Sequence, residues 1–492
     1  MNTPAVETED FDTLIVGAGL SGIGSAVHLR QRCPEQSFAI LEGRARLGGT
    51  WDLFRYPGVR SDSDMHTLGY AFKPWTGAQA IADGPSILQY IQDTATEHGL
   101  LPHIRLGHRV TAAAWSGAQA RWLLTVERGA GQAPVHMRCR FLLVCSGYYN
   151  YAHGYTPDFA GQDRFAGRVV HPQDWPADLD VRNKRVVVIG SGATAMTLVP
   201  ALARDAAQVT MLQRSPTYVV ARPRADALAD ALRRVLPERM AYALTRWKNV
   251  GLGLFFYTLA RRRPDLAKAR IVEAAAAALP AGFDTQTHFS PRYKPWDQRV
   301  CLVPGGDLFA AIRSGKADVV TDTVAAFEPQ GIRLASGALL AADVVVTATG
   351  LDLLGFGGMA LRVDGKPVEI GNTMSYKGMM LAGVPNLAYV VGYTNASWTL
   401  KSDLTGAFVC RVLRQMQRSG AAVCMPAMPG ADVKPQPWVD FSSGYIQRSL
   451  HQFPAQGSST PWRLNQNYLR DLLDLRFGRL EDGVLQFSGH AR

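Results

Sequence analysis

FDTLIVGAGLSG, Phe11 to Gly22, is the stretch that decides the fold. A short apolar run reads as a strand, and Gly17-x-Gly19-x2-Gly22 then opens a helix. The first glycine permits the tight turn and the second lets backbone approach a pyrophosphate. The third lets the helix pack on the strand, so that its N-terminus faces the anion. Working outward, Phe38 to Leu41 reads as the next strand and ends at Glu42, placed to bond a ribose hydroxyl. A lone G-x-G-x2-G is weak. Strand, helix and acid in register predict a dinucleotide site.

The pattern recurs further on. Arg185 to Ile189 reads as a strand, and Gly190-x-Gly192-x2-Ala195 follows at its turn. The next strand, Gln208 to Leu212, leads into Gln213-Arg214-Ser215-Pro216, with no acid where the first unit carries Glu42. An arginine there accommodates a 2′-phosphate, so Arg214 predicts a preference for NADP over NAD. Two βαβ units in one chain predict an α/β protein with two Rossmann-like dinucleotide-binding domains.

FAGRVVHPQDWP lies between them and holds Phe165-x-Gly167-x3-His171-x3-Trp175-Pro176. Read from the residues alone, this is either a Pro-bounded linker with a buried Trp or a crossing that carries an imidazole into a site. The spacing resembles the fingerprint of the type I Baeyer–Villiger monooxygenases. The related N- and S-oxidising flavin monooxygenases share the Phe, Gly and His but usually lack the Trp-Pro ending. RYPGVRSDSDMHTLGY, CSGYYNY, GSGATAMTLVPALA, PWDQRVCLVPGGDLF, VGYTNASWTLKSDL and TPWRLNQNYLRD extend the resemblance over nearly the whole chain, nearest to the thioamide-activating members of that family.

The resemblance implies FAD at the first turn, NADPH at the second, and dioxygen with a small apolar ketone or thioether as substrates. It divides the chain into residues 1–155 (FAD domain, first part), 156–220 (fingerprint linker and first part of the NADP domain), 221–290 (helical insertion), 291–352 (NADP domain, second part) and 353–492 (completion of the FAD domain and the C-terminal segment). Arg299 matches the family's catalytic Arg, a permanently charged fork that can stabilise an oxyanion. Asp62 matches the acid beside it. A structural salt bridge to a remote acid is the other reading of Arg299. The loop Gly48 to Asp64 would run beside the flavin, with Gly49, Trp51 and Asp62 in its wall. Family members often carry Tyr-Trp-Asn where this chain has Asp52-Leu53-Phe54, and often a Lys where it has Gln298, which leaves more of the 2′-phosphate to Arg214. His171 either touches the nicotinamide or holds the linker in shape, and a swinging linker's need for an anchor favours the second.

Composition sets the outer limits. The chain's 492 residues exceed one core. A net charge of +11 suits phosphate-bearing cofactors, anionic lipid or nucleic acid, and the lack of a Lys/Arg block with interleaved aromatics argues against the last. The acidic, polar N-terminus does not read as a secretory signal. Six cysteines without a C-x-x-C pair predict reduced thiols and a cytoplasmic protein. No His/Asp/Cys cluster has metal-ligand spacing, so no metal is expected. Ala221 to Phe289 is rich in Ala, Leu and Arg and predicts helices. Within it Val250 to Ala260 is continuously apolar apart from Thr258, with Lys248 before it and Arg261, Arg262 and Arg263 after it. It reads as a core or lid helix, or as a peripheral membrane contact; its length as a helix, about 16 Å, cannot span a hydrocarbon core of about 30 Å.

Overall fold

Leu14 and Ile15 of the strand Glu9–Val16 are fully buried, as are their neighbours Ala39 and Ile40. Burial on both faces is what a parallel strand covered by helices requires. Glu9–Val16 pairs in parallel with Phe38–Glu42, and the helix Leu20–Arg32 crosses between them. The computed structural model describes residues 8–129, 131–439 and 441–490. In it the N-terminal strand forms the middle of a mixed sheet. Phe38–Glu42 and Ile104–Leu106 lie on one side of it, Val135–Val144 and an antiparallel meander on the other.

The sequence predicts a strand from Phe141 that closes this sheet. The strand instead runs over Val135–Val144 and lies inside. Its first half pairs with Arg121–Glu127, and Leu142 to Val144 pair with Leu387–Tyr389. The residues before Phe141 alternate in burial, one face packed and one half-open, and so lack the continuous apolar run that marks the end of the strand. The residues around Trp115 and from Trp122 to Glu127 alternate in sequence like a hairpin, and one is present as Arg109–Ser116 against Arg121–Glu127, with Trp115 opposite Trp122 and their rings 5.6 Å apart.

The second domain is a sheet of five parallel strands: Ala317–Thr321, Gln208–Gln213, Arg185–Ile189, Val344–Thr347 and Arg168–Val170, in that order. The chain crosses between the domains twice. The outgoing Tyr149–Gly154 and the returning Leu351–Leu353 pair antiparallel, so both crossings form one ribbon.

Helices Ala227–Val235, Glu238–Arg262, Pro264–Ala278 and Thr285–Phe289 follow the second dinucleotide unit. Val250 to Ala260 lies in the second half of the 25-residue helix Glu238–Arg262, and it is core only in part. Val250 and Ala260 are buried, but Leu252, Phe255 and Phe256 stand in solvent. The part before it is held by Tyr242, which donates to Tyr70 O at 3.0 Å, and by Arg246, which donates to the carbonyls of His66 (2.9 Å) and Gly69 (2.8 Å). No helix among the described residues is long and apolar enough to cross a membrane. The helix Trp398–Ser419 then packs on Leu20–Arg32, and Tyr468–Phe477 docks on it. All six cysteines are free and buried.

Candidate active site between the two dinucleotide turns

Gly17 takes φ +104°, and a Cβ there would lie 2.6 Å from Cys145 O, so only glycine makes this turn beneath the strand end at Cys145. A Cβ on Gly22 would lie 1.8 Å from Gly17 O, which fixes the helix against the turn. Gly49 backs onto Gly19, with 3.0 Å from its Cβ position to Gly19 Cα. The Glu42 carboxylate folds under this turn: Oε2 accepts from Ala18 N–H at 2.8 Å and Oε1 from Arg44 N–H at 2.9 Å. Burial raises its pKa. Beside the turn the Ser146 hydroxyl is buried without a protein partner. A phosphate-bearing dinucleotide fits this set: donors at a helix N-terminus, a fixed acid one strand away, and a spare hydroxyl.

The second turn is built alike. Gly190 takes φ +132° over Ala348, Ala195 is buried against the strand, and the Cβ position of Gly192 meets nothing within 4 Å. Ser191 Oγ donates to Ser215 O at 3.2 Å, which brings the Arg214 loop alongside the glycines. The Arg214 side chain is exposed there. Open space at Gly192 and an exposed cation beside it fit a second, phosphorylated dinucleotide.

Arg299 and Asp62 meet between the domains, Arg299 Nη1 donating to Asp62 Oδ2. The Asp62 charge holds the guanidinium pKa well above its ordinary value, ahead of the opposing effect of desolvation. About a third of the Arg299 side chain (35%) still opens into the space between the domains, so the pair is neither sealed nor a surface bridge. Tyr148, Tyr149 and Tyr445 lie within electrostatic reach of Arg299, and burial raises the pKa of all three. The Tyr148 and Tyr149 hydroxyls are 3.1 Å apart, Tyr148 stacks on Trp398 at 5.1 Å, and Phe54 meets Tyr149 edge-on at 6.3 Å. Apart from Phe54, none of these aromatics is singled out in the sequence. Tyr148, Tyr149 and Trp398 stand in the runs CSGYYNY and VGYTNASWTLKSDL, and paired aromatics directly after a strand end at a dinucleotide turn are a readable signal. Tyr445 sits in no pattern.

The loop from Gly48 to Asp64 shows what Asp52 does. Its carboxylate is buried and collects three guanidinium groups, Arg44 at 2.9 Å, Arg46 at 3.1 Å and Arg55 at 2.7 Å. This clamp rigidifies the wall, and Trp51, Phe54 and Tyr56 line a cleft of about 580 Å³ with Arg60, Arg204 and Arg224. Burial pushes the Tyr56 hydroxyl up to about 12. Asp64 caps the helix Met65–Leu68 and accepts from Asn249 at 2.9 Å, tying the loop to the long helix.

The linker residues separate by position. Phe165 packs on Phe327, and the Cβ position of Gly167 lies 2.3 Å from Asp343 O, so both belong to the edge of the second sheet. Trp175, followed by Pro176, packs part-buried on that domain's core. His171 stands at the crossing. Its Nδ1 accepts from Gln173 N–H at 3.1 Å, which leaves Nε2–H to donate to Gly350 O at 3.1 Å. Its bonds are to backbone, one within its own segment and one to Gly350 at the start of the returning crossing, and burial lowers its pKa.

Known proteins resemble this chain in sequence and in fold. The flavin-binding monooxygenase-like family matches residues 81–247, and an NAD(P)-binding Rossmann-like domain matches residues 15–77. The FAD-containing monooxygenase EthA of Mycobacterium tuberculosis is 54% identical over 98% of this chain and 98% of its own. Among solved structures, OTEMO complexed with FAD and NADP superposes with TM-score 0.75 at 20% identity, covering 98% of this chain and 100% of that one. A steroid monooxygenase bound to NADP superposes with TM-score 0.71 at 24% identity, over 85% of this chain and 88% of that one. The structural likenesses carry the fold. Identity at more than half the positions, end to end, carries the lineage: the chain belongs to the flavin-binding monooxygenase-like family of FAD-containing monooxygenases.

Proposed function

We propose that the protein is an FAD- and NADPH-dependent monooxygenase of the Baeyer–Villiger type. It inserts one atom of dioxygen beside the carbonyl of a small apolar ketone to give an ester or lactone, with oxidation of thioether-type sulfur as a side activity. The observation that carries this reading is the Arg299–Asp62 pair, part-open between the two dinucleotide turns.

Gly17, Gly19, Gly22, Glu42, Gly49 and Trp51 would hold FAD, and Gly190, Gly192, Ala195 and Arg214 would hold NADPH. When bound, FAD supplies the transfer of reducing equivalents from NADPH to dioxygen. The chain's own part is electrostatic. Oxygen insertion develops negative charge on the carbonyl oxygen, and a fixed cation there lowers the barrier. Arg299 suits the task because Asp62 raises its pKa further still, so it offers charge without surrendering a proton. Asp62 aims the guanidinium from the opposite domain. The half-buried tyrosines, their pKa values raised, keep their protons at neutral pH and, with Phe54 and Trp398, would limit the water that diverts oxygen to hydrogen peroxide.

Arg299→Ala is the test. The variant keeps its FAD absorbance and accepts hydride from NADPH, but oxygenated product disappears and NADPH oxidation yields hydrogen peroxide. Ester formation at near wild-type coupling would remove Arg299 from the mechanism. Wild-type protein that oxidises NADPH yet oxygenates no ketone or sulfide in a panel of linear, cyclic and aryl substrates would instead be a redox scaffold.

A further inference from the structure

Apolar side chains in solvent are normal when scattered, and informative when gathered. More than half of the large ones that stand exposed among the described residues lie on two helices, Glu238–Arg262 and Tyr468–Phe477. On the first, Met240, Leu244, Trp247 and Phe255 recur at helical spacing, opposite the buried Tyr242, Arg246 and Val250. Leu252 and Phe256 also stand in solvent, over the face that is buried one stretch earlier as Ala241 and Thr245. On the second, Leu469, Leu473 and Phe477 recur every four residues, opposite the buried Asp471 and Leu475. The helices are neighbours: the half-exposed Trp247 meets Tyr468, at the start of the second, with ring centroids 6.0 Å apart. Phe255, Leu473 and Phe477 are 60%, 63% and 69% exposed.

Charge on these helices is sorted by side. Arg239, Arg262, Arg470 and Arg476 are exposed, with Arg263 and Arg479 just beyond the helix ends. The acids of the second helix point the other way: Asp471 receives Lys401 Nζ at 2.7 Å and Asp474 receives Lys377 Nζ at 2.7 Å. The first helix has one acid, Glu238, at its start. The solvent side therefore combines an aliphatic and aromatic stripe with a border of arginines. Trp247, and Phe477 with Arg476 at 5.6 Å from its ring, suit the depth where headgroups meet acyl chains.

We propose that this two-helix face docks in the plane of an anionic lipid surface, the stripe entering the acyl boundary and the arginines meeting headgroup phosphates. A second copy of the chain is the other occupant of an apolar face, but two such faces would bring arginine borders of like charge together. Spanning is excluded for these helices by their length and composition. The inference is independent of the reaction assigned above, since its readout is partitioning.

The FAD-loaded full chain is sedimented with vesicles of phosphatidylglycerol mixed with phosphatidylcholine, and of phosphatidylcholine alone, at low and high salt. Binding is expected to the anionic vesicles and to weaken as salt rises. The pair Phe255→Asp with Leu473→Asp loses at least about tenfold in partitioning, since charge is driven into the acyl boundary. The pair Arg262→Gln with Arg476→Gln loses about fivefold per arginine on anionic vesicles. Both pairs change exposed residues only, so FAD absorbance and turnover of a water-soluble substrate stay at wild-type level. Sedimentation velocity without vesicles runs alongside. The proposal falls if the wild type ignores anionic vesicles at low salt, or if the aspartate pair binds them equally well. It also falls if the aspartate pair instead dissolves a dimer.

Discussion

A single methyl group at Gly154 tests how the two domains are joined. Gly154 ends the outgoing strand of the crossing ribbon, and a Cβ placed on it would lie 1.9 Å from His171 Cε1 and 2.5 Å from Nε2. Its φ is not in the left-handed region, so alanine suits the backbone and the whole cost is the collision with the ring. The imidazole can swing away only by giving up its bonds to Gly350 O and Gln173 N–H, both 3.1 Å. At about 1 kcal/mol each, Gly154→Ala should cost the anchored crossing about 2 kcal/mol, or roughly thirtyfold in its population against a released one. The assay is anaerobic stopped-flow reduction of FAD by NADPH, with FAD content and thermal unfolding measured in parallel. Hydride transfer should slow while FAD stays bound. In a His171→Gly background the methyl has room, so Gly154→Ala should then cost almost nothing further. Equal effects of Gly154→Ala in both backgrounds, or none in the wild type, would refute the anchoring role of His171.

Asp62→Asn should leave FAD binding intact and weaken the hold on Arg299 by about 1.5–3 kcal/mol, read as a rise in the hydrogen peroxide share of NADPH turnover; unchanged coupling would show that Arg299 needs no carboxylate. Arg214→Ala should raise KM for NADPH roughly ten- to hundredfold and spare KM for NADH, because a charge-assisted phosphate contact is lost; equal effects would show that Arg214 does not read the phosphate. Stability should also depend on pH through His171. Its imidazole is held below its ordinary value in the fold, so the unfolded chain takes up the proton first as pH falls. The anchor's contribution is complete above the ordinary imidazole value of about 6.5 and is lost progressively below it. The thermal midpoint of His171→Gln should therefore fall less between neutral and mildly acidic pH than that of the wild type, and identical slopes would contradict the assigned tautomer.

The glycine turns, Glu42 and the strands before them were legible because each is a local pattern with a steric cause. Gly17 and Gly22 are required by carbonyls that the neighbouring chain must place there. The strand Val135–Val144 was legible only in part, since its first half is buried on one face and its neighbours come from distant sequence. Asp52 gave no sign of its three arginines, two before it and one after, because the loop that gathers them has no period. The tyrosines around Arg299 come from residues far apart in the chain, and only packing brings Tyr445 to Tyr148. The fate of Val250 to Ala260 was open for a related reason: an apolar run specifies that something must cover it, not what. The partner stripe on Tyr468–Phe477 lies more than two hundred residues on.

The interdomain contact also carries a pattern that selects one register. Two residues of opposite charge, Arg60 and Asp62, stand two apart on the first domain's loop. They face Asp307 and Arg299, also of opposite charge, on the chain that leads into the second domain's core. Arg60 Nη2 reaches Asp307 Oδ1 at 3.3 Å, and Arg224 shares the same carboxylate at 3.2 Å. Ser61, between the two, is pinned by its N–H to Ala82 O at 3.0 Å, so the loop cannot adjust freely. A slip of the two surfaces that exchanged partners would set Arg60 against Arg299 and Asp62 against Asp307. Like charges at such range cost more than the correct pairs gain, so the arrangement rejects the wrong register as well as favouring the right one. The residue that would stabilise the developing oxyanion in the proposed reaction is thus half of the contact that fixes the register. Asp62 aims Arg299 through the same contact that holds the register.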